Sequence, residues 1–216
     1  MKENVIFFDT AKSGPSIENG KVSPPARKKN KELRPREYLT GSEIELLMKA
    51  AKSIGRHGHR DSTLILITFR HALRVSELVA LRWDSIDFEI GLLHVNRLKG
   101  GVPSTHPITG DKNGEELRSL RRLQRKYGNS PYVFTSELRG PLSSSTVRKI
   151  IARAGVKAGI DFPIHPHMLR HSTGFKLAND GQDTRSIQHY MGHRNIQHTV
   201  RYTELAPDRF KRFWRD

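Results

Sequence analysis

Histidines cluster in the C-terminal part of the chain, where their spacing raises the question of a metal site. Six of the 11 histidines fall between residues 165 and 198. His167 and His171 are four residues apart, which places both on one face of a helix. This spacing can bind zinc, but a hydrolytic zinc helix carries a glutamate beside its first histidine, where this chain has Met168. Because cysteine ligands are also absent, the pattern gives little support to a metal site.

The same stretch, together with two upstream cations, contains the residue types that metal-free phosphodiester chemistry needs. Guanidinium groups stabilise the negative charge that develops on the non-bridging oxygens, because they are planar and permanently protonated. Histidine moves protons near neutral pH, lysine can protonate a leaving alkoxide, and tyrosine can form a covalent phosphoester. The arginines then supply the electrostatic stabilisation, so we expect neither a metal nor another cofactor. The residues that fit these roles are Arg74, Lys99, His167, Arg170, His193 and Tyr202.

The apolar pattern predicts a mostly helical unit with a small sheet, which must position these side chains. Thr40 and Glu43 form a capping box, so the first helix begins there. Helical spacing predicts further helices over residues 62–73, 76–81, 115–127, 144–158, 167–179, 184–191 and 207–214. Glycine turns separate three predicted strands, 86–90, 92–97 and 104–108. The predicted fold class is mainly α with a small antiparallel β-sheet (α+β).

The charge balance indicates a polyanionic partner. The 216 residues contain 38 Lys and Arg against 22 Asp and Glu, for a net charge of +16 and a pI near 10.4. Nucleic acid is the leading candidate and an anionic membrane surface is the second. The absence of cysteine excludes a disulfide framework, a thiolate metal site and a cysteine nucleophile. No apolar run is long enough for a membrane helix or a secretory signal, so we expect a cytoplasmic protein.

Residues 1–36 differ from the rest of the chain in composition. Glycine and proline interrupt this stretch, so we expect no regular element in it. One interpretation is a solvated, disordered tail; the other is a basic arm that lies along a DNA backbone, and an arm can be disordered until it binds. The candidate DNA-binding cations are Arg27, Lys28, Lys29, Lys31, Arg34 and Arg36.

Four sequence segments in a fixed order resemble the tyrosine recombinase (phage integrase) family. They are the segment 72–78 (ALRVSEL), the segment 167–171 (HMLRH), the segment 191–193 (MGH), and Tyr202, which lies nine residues after His193. The resemblance runs from about residue 40 to the C-terminus. It implies the family's catalytic-domain fold and DNA cleavage and rejoining through a 3′-phosphotyrosine intermediate, independent of metal and ATP.

The resemblance also implies roles for individual residues. The phosphate would be bound by Arg74, Arg170 and His193, while His167 would accept the proton of the nucleophile Tyr202. Lys99, in the β-hairpin, would protonate the leaving 5′-oxygen. Glu77 would support the site as its acidic residue. His171 would support or orient the helix that carries it.

The segment before residue 40 is short. In this, and in the residues of its motifs, the chain resembles the small recombinases that invert the type 1 fimbrial promoter switch. Most family members carry a separate DNA-clamping domain there, so we expect the basic arm to replace part of it. The implied partners are paired inverted repeats in double-stranded DNA, a homotetramer on that DNA, and accessory DNA-bending proteins at the nucleoid. A C-terminal helix, residues 207–214, would pack on a neighbouring protomer or dock on its own domain.

Four other functions stay open at this point. An integrase or excisionase of a mobile element would use the same chemistry with differently arranged sites. A type IB topoisomerase would use it as a monomer. A DNA-binding regulator would carry an idle active site, and a zinc hydrolase would use the histidine cluster.

Overall fold

The computed structural model describes residues 16–18, 21–23, 36–97, 100–109 and 115–204. The chain divides into two compact units, residues 1–35 and 36–216. In the first unit, Ser16–Glu18 (β1) and Lys21–Ser23 (β2) pair antiparallel. The expectation of no regular element was therefore wrong, because Asn-Gly, which separates the two strands in the sequence, favours hairpins. The predicted disorder of the remaining arm lies outside the described residues, and its assignment as an arm stays a prediction.

The second unit is mostly helical and carries one small sheet, which confirms the predicted fold class. Three short strands pair antiparallel in sequential order: β3 (Ile86–Asp87), β4 (Leu92–Val95) and β5 (Ser104–Pro107). The described helices are α1 (Gly41–Ser53), α2 (Gly58–Arg70), α3 (Val75–Val79), α4 (Glu115–Tyr127), α5 (Ser144–Lys157), α6 (Pro166–Asn179), α7 (Thr184–Met191) and α8 (Gln197–Glu204).

The core is organised around α2, which packs against α1, α4 and α6. The predicted capping box is present at the start of α1, where Thr40 accepts from the Glu43 backbone and Glu43 accepts from the Thr40 backbone. A second, smaller apolar cluster joins α6, α7 and α8 through Ala178, Ile187, Met191 and Tyr202. The nucleophile candidate is thus part of a packed cluster. No helix among the described residues is long and apolar enough to span a membrane.

Helix α8, which carries Tyr202, is the main element that the sequence did not predict. Its buried face consists of Thr199, Tyr202 and Thr203 rather than aliphatic residues, so the usual apolar repeat is absent. Helix α2 also begins four residues before the predicted start and ends at Arg70. The predicted C-terminal helix, residues 207–214, lies outside the described residues.

Candidate active site

The turn between α2 and α3 places Arg74 against Glu77. Arg74 is the N-cap residue of α3, and Glu77 lies in the first turn of that helix. The Glu77 carboxylate accepts from the Arg74 backbone nitrogen at 2.9 Å and from Arg74 Nη1 at 2.7 Å. Glu77 is buried, whereas a quarter of the Arg74 side chain stays exposed. The carboxylate therefore fixes Arg74 and leaves part of its guanidinium accessible to a ligand.

Ala72, in the same turn, is strained and directs its carbonyl toward the arginines. Its φ is +50°, in the left-handed region that side-chain-bearing residues rarely adopt. The Ala72 carbonyl accepts a hydrogen bond from Arg170 Nη1 and another from Arg97 Nη1. Glycine would adopt this φ without strain, because it has no Cβ.

Arg170 lies on α6 and joins this turn to the end of α7. Its side chain donates to the Ala72 carbonyl and, at 2.6 Å, to the Met191 carbonyl. Only 2% of the residue is exposed. Burial, followed by the charges of Arg74 and Arg97, lowers the pKa of Arg170 to about 9. The guanidinium still carries its charge at neutral pH, in surroundings that disfavour a cation.

Arg97 completes the cationic cluster, and sequence reasoning missed it except as a neighbour of Lys99. Its guanidinium donates to Glu77 Oε2 at 3.0 Å and to the Tyr190 carbonyl at 2.6 Å. Burial lowers the pKa of Arg97, although the Glu77 charge opposes that effect. One signal could have revealed it: Leu93 and Val95 are the inward positions of β4, and Arg97 is the next residue in that alternation.

The structure places Tyr202 in a buried position beside His171. The Tyr202 hydroxyl and His171 Nδ1 are 2.8 Å apart, and the residue is 1% exposed. A Cβ added at Gly174 would lie 2.8 Å from three atoms of the tyrosine ring, so only glycine leaves room for this packing. Burial raises the pKa of Tyr202, although Arg201 and Arg170 oppose the shift. The hydroxyl is therefore a protonated phenol whose partner is His171.

His193 and His167 flank this cluster. The His193 and Tyr202 rings stack with centroids 6.4 Å apart, and His193 Nδ1 lies 2.8 Å from Thr199 Oγ1. Burial, then Arg170 and Arg74, lowers the pKa of His193 to about 3. His167 helps to line a cleft of about 170 Å³ together with Arg74. Burial and then Arg170 lower its pKa as well.

Two groups of predicted site residues are not tested by this geometry. Lys99 and the arm cations Arg27 to Arg34 lie outside the described residues. Arg36 is described, and its guanidinium pairs with Glu43, donates to the Tyr38 carbonyl at 3.0 Å, and lies over the Phe162 ring. These internal contacts occupy the Arg36 guanidinium and give no support to a contact with DNA. Its assignment to DNA binding stays a prediction.

The described side chains bring cationic groups together around one carboxylate. Within the described ranges, no group of three or more histidine and carboxylate side chains could hold a metal ion. The guanidinium groups of Arg74 and Arg97 pair with one buried carboxylate, Glu77, and Arg170 lies close enough for the charges of all three to influence it. Positive charge therefore exceeds negative charge at the cluster, as a site for a phosphodiester requires.

The fold that carries this site is the tyrosine recombinase catalytic domain. The crystal structure of XerA recombinase matches 88% of this chain and 65% of its own chain, with a TM-score of 0.69 and 25% identity. A lambda integrase dimer bound to a COC′ core site matches 83% of this chain and 50% of its own, with a TM-score of 0.64 and 24% identity.

Sequence comparison gives the family. Residues 37–209 match the phage integrase family, and the chain belongs to that family. The type 1 fimbriae regulatory protein FimB of Escherichia coli K12 is 44% identical over 86% of this chain and 94% of its own length. FimE of the same strain is 40% identical over 83% of this chain and 91% of its own. The resemblance that the motifs indicated is confirmed.

The depressed histidine pKa values predict that stability rises with pH between about 4.5 and 6.5. In the folded protein the pKa values of His106, His171 and His193 are lowered to about 3, with burial as the leading cause. In the unfolded chain each histidine titrates near pH 6.5, so the unfolded state binds more protons in this window. Each histidine adds at most about 1.4 kcal/mol per pH unit to the free energy of unfolding.

Urea unfolding followed by tryptophan fluorescence across this pH window measures the effect. Glu77 and Glu116, whose pKa values are lowered from 4.5, add to the slope in the same direction but mainly below about pH 5.5, so the histidine effect is clearest above that pH. His193→Asn keeps a group that can hydrogen bond with Thr199 but does not titrate. The slope of the free energy of unfolding against pH should therefore fall by the equivalent of about one bound proton. A wild-type free energy of unfolding that is constant from pH 4.5 to 6.5 would contradict this prediction.

Proposed function

We propose that this protein is a site-specific DNA recombinase that cuts and rejoins DNA through Tyr202 and inverts a promoter element in fimbrial-type phase variation. The observation that carries the proposal is the unbalanced cationic cluster. Arg74 and Arg97 share the buried carboxylate of Glu77, while Arg170 donates to backbone carbonyls beside them, and its pKa is lowered by burial and by the other two guanidinium groups. A phosphodiester would supply the missing negative charge.

The proposed reaction is a transesterification that conserves the phosphodiester energy. The Tyr202 oxygen attacks phosphorus, the bond from phosphorus to the 5′-oxygen breaks, and a 3′-phosphotyrosine forms. The phenol loses its proton to a histidine, and the 5′-oxygen gains one from Lys99. Attack by the 5′-hydroxyl of a partner strand reverses these transfers and releases the tyrosine. Arg74, Arg170 and His193 stabilise the charge on the non-bridging oxygens throughout.

His171 enters this scheme through its contact with the nucleophile. Burial, then Arg201 and His167, holds the pKa of His171 at about 3, so the ring is neutral and can accept the phenol hydrogen bond. A phosphate anion bound nearby would offset those cations and raise the pKa of the ring. His171 would then hold the phenol hydrogen bond more strongly when substrate is present, before the proton passes to His167. His167 keeps its proposed role as the acceptor in the assembled complex.

The proposed partners follow from the relatives. We propose paired inverted repeats as substrate, a homotetramer on DNA, and accessory DNA-bending proteins, with the protein acting in the cytoplasm at the nucleoid. The regulatory proteins FimB and FimE, named for type 1 fimbriae, support inversion. Integration or excision of a mobile element is the second candidate, since the structural neighbours include lambda integrase and the Tn1549 transposon integrase.

Covalent capture in cells tests the proposal directly. Protein–DNA complexes that survive denaturant without a crosslinker should be present with wild-type protein and absent with Tyr202→Phe, because the phosphotyrosine bond requires the hydroxyl. Sequencing of the attached DNA, with PCR across rearranged junctions, identifies the substrate. Paired inverted repeats support inversion, direct or unpaired attachment sites support integration or excision, and scattered sites support a topoisomerase. If neither adducts nor new junctions form, the protein is a DNA-binding regulator.

Arg170→Ala should lower the rate of strand cleavage by about 10²- to 10³-fold, because it removes a preorganised donor to the developing charge. The same loss is expected for Arg74→Ala. Single-turnover cleavage of a duplex containing a captured site measures the rate, with protein in excess to compensate for weaker binding. Arg125→Ala is the control, since it removes an exposed arginine on α4 and should leave the rate unchanged. If Arg170→Ala cleaves at the wild-type rate, the assignment of the phosphate site is wrong.

Replacing the five arm cations from Arg27 to Arg34 by glutamine should weaken DNA binding and reduce its salt dependence. Each lost phosphate contact reduces the slope of log K against log salt by about 0.9. Titration of a captured-site duplex at several salt concentrations measures both quantities. Glutamine replacement of Arg118, Arg121, Arg122, Arg125 and Lys126 on α4 controls for total charge. Equal slopes for the wild type and the arm variant would refute a DNA-binding arm.

A further inference from the structure

Arg97 connects three separate segments of the active site. Its Nη1 donates to Glu77 Oε2 at 3.0 Å and to the Ala72 carbonyl at 3.3 Å. Its Nη2 donates to the Tyr190 carbonyl at 2.6 Å and to the His71 carbonyl at 3.3 Å. The acceptors belong to the α2–α3 turn, to α3 and to the last turn of α7. One planar guanidinium therefore joins elements that are distant in sequence.

Two of these four contacts are one step from a phosphate-binding candidate. Glu77 holds Arg74 through two hydrogen bonds. The Ala72 carbonyl also accepts from Arg170, so both arginines keep the same strained turn in place. Arg97 thus acts on Arg74 through a carboxylate and on Arg170 through a carbonyl.

Two glycines confine the Arg97 side chain. A Cβ added at Gly192 would lie 2.7 Å from Arg97 Cγ and Nε, and a Cβ added at Gly101 would lie 2.7 Å from Arg97 Cβ. Gly192 has a φ of +63° at the C-terminus of α7, directly before His193. Because both approaches require the absence of a side chain, the path of Arg97 is tightly defined.

We propose that Arg97 is a positioning residue, which sets the geometry of Arg74 and Arg170 without touching DNA. Its side chain is 0% exposed, and both of its Nη atoms already donate to Glu77 and to backbone carbonyls. Lysine could not replace it, because a single ammonium cannot span acceptors on three segments as a planar fork does. This inference rests on the recombinase function proposed above and assigns a new residue to that site.

Arg97→Lys tests the proposal, with Arg60→Lys as the matched control. Arg60 is also a buried arginine, which donates to Asp61 at 2.8 Å and to the Thr135 carbonyl at 2.8 Å. Both variants lose a fork beside a buried carboxylate, and both should be less stable to urea. With folded protein in excess, Arg97→Lys should lower single-turnover cleavage of the captured-site duplex about 10- to 100-fold, as expected for misplacement by up to 1 Å. Arg60→Lys should cleave at the wild-type rate.

The expected signature is a loss in the chemical step with DNA affinity unchanged within about twofold, because Arg97 does not contact DNA. Equal cleavage by Arg97→Lys and Arg60→Lys would overturn the proposal. A loss that lies only in affinity would also overturn it. Adduct formation by the wild type separates this result from failure of the proposed function. If the protein is not a recombinase, neither the wild type nor any variant forms the covalent adduct.

A second substrate identifies the route by which Arg97 acts. A 5′-bridging phosphorothiolate leaves as a thiolate and needs little proton donation, so it bypasses the leaving-group acid. Because Arg97 contacts the partners of Arg74 and Arg170, the sulfur substrate should not restore the rate of Arg97→Lys. Restoration to the wild-type rate would show that Arg97 acts through the proton donor instead, and would overturn the assigned route.

Gly101→Ala keeps the test possible if Arg97→Lys does not fold. This change displaces Arg97 without removing its charge, since the added Cβ meets Arg97 Cβ at 2.7 Å and approaches Arg74 Nη1 at 3.5 Å. It should lower the cleavage rate at unchanged DNA affinity. Gly140→Ala is its control, because nothing lies within 4 Å of a Cβ added there. Equal cleavage rates for the two glycine variants would contradict the proposal.

Discussion

The active site depends on one buried carboxylate. Glu77 pairs with Arg74 and Arg97, and it does so at the first turn of a helix of only five residues. Burial alone would raise the pKa of Glu77, but the Arg74 backbone hydrogen bond and the Arg97 charge outweigh burial and lower it. The ionised carboxylate is what allows two guanidinium groups to share a space that is largely closed to water. Without it, their mutual repulsion would push the turn apart.

The charges of this cluster do not balance, because it holds more guanidinium groups than carboxylates. One carboxylate cannot compensate three guanidinium groups, and burial, followed by the neighbouring arginine charges, lowers the pKa values of Arg170, His167 and His193. The same excess that destabilises these cations in the free protein becomes favourable once a phosphate enters. The apolar core therefore has to hold the site together until DNA binds. Packing of α6 against α2 places Arg170, and packing of α8 against α6 and α7 places Tyr202.

Much of the fold could be read from the sequence, and the exceptions have physical causes. Helices α4 and α7 and the three-stranded sheet follow from apolar spacing and glycine turns, which are local signals. Helix α8 was not predicted from the sequence, because its buried face is made of threonine and tyrosine rather than aliphatic residues. Its burial depends on partners on α6 and α7, and such contacts are not encoded in a local repeat.

The candidate site shows the same division. Arg74, His167, Arg170, His193 and Tyr202 were identified from motifs, and the structure brings them into one region, although their roles stay proposals. Arg97 could not be identified this way, because its importance comes from carbonyl groups on distant segments rather than from its neighbours in sequence. The contact between Tyr202 and His171 was likewise hidden, since the expected acceptor was His167.

The separation of the nucleophile from the arginines has a consequence for control. Tyr202 is held by His171 and by packing against Gly174, while the arginines are held by backbone carbonyls and Glu77. A phenol with a raised pKa beside a weakly basic histidine is a poor nucleophile. In the proposed reaction, the negative charge of a bound phosphate would raise the basicity of that histidine. Reactivity would thereby be coupled to the binding of a phosphate at this site.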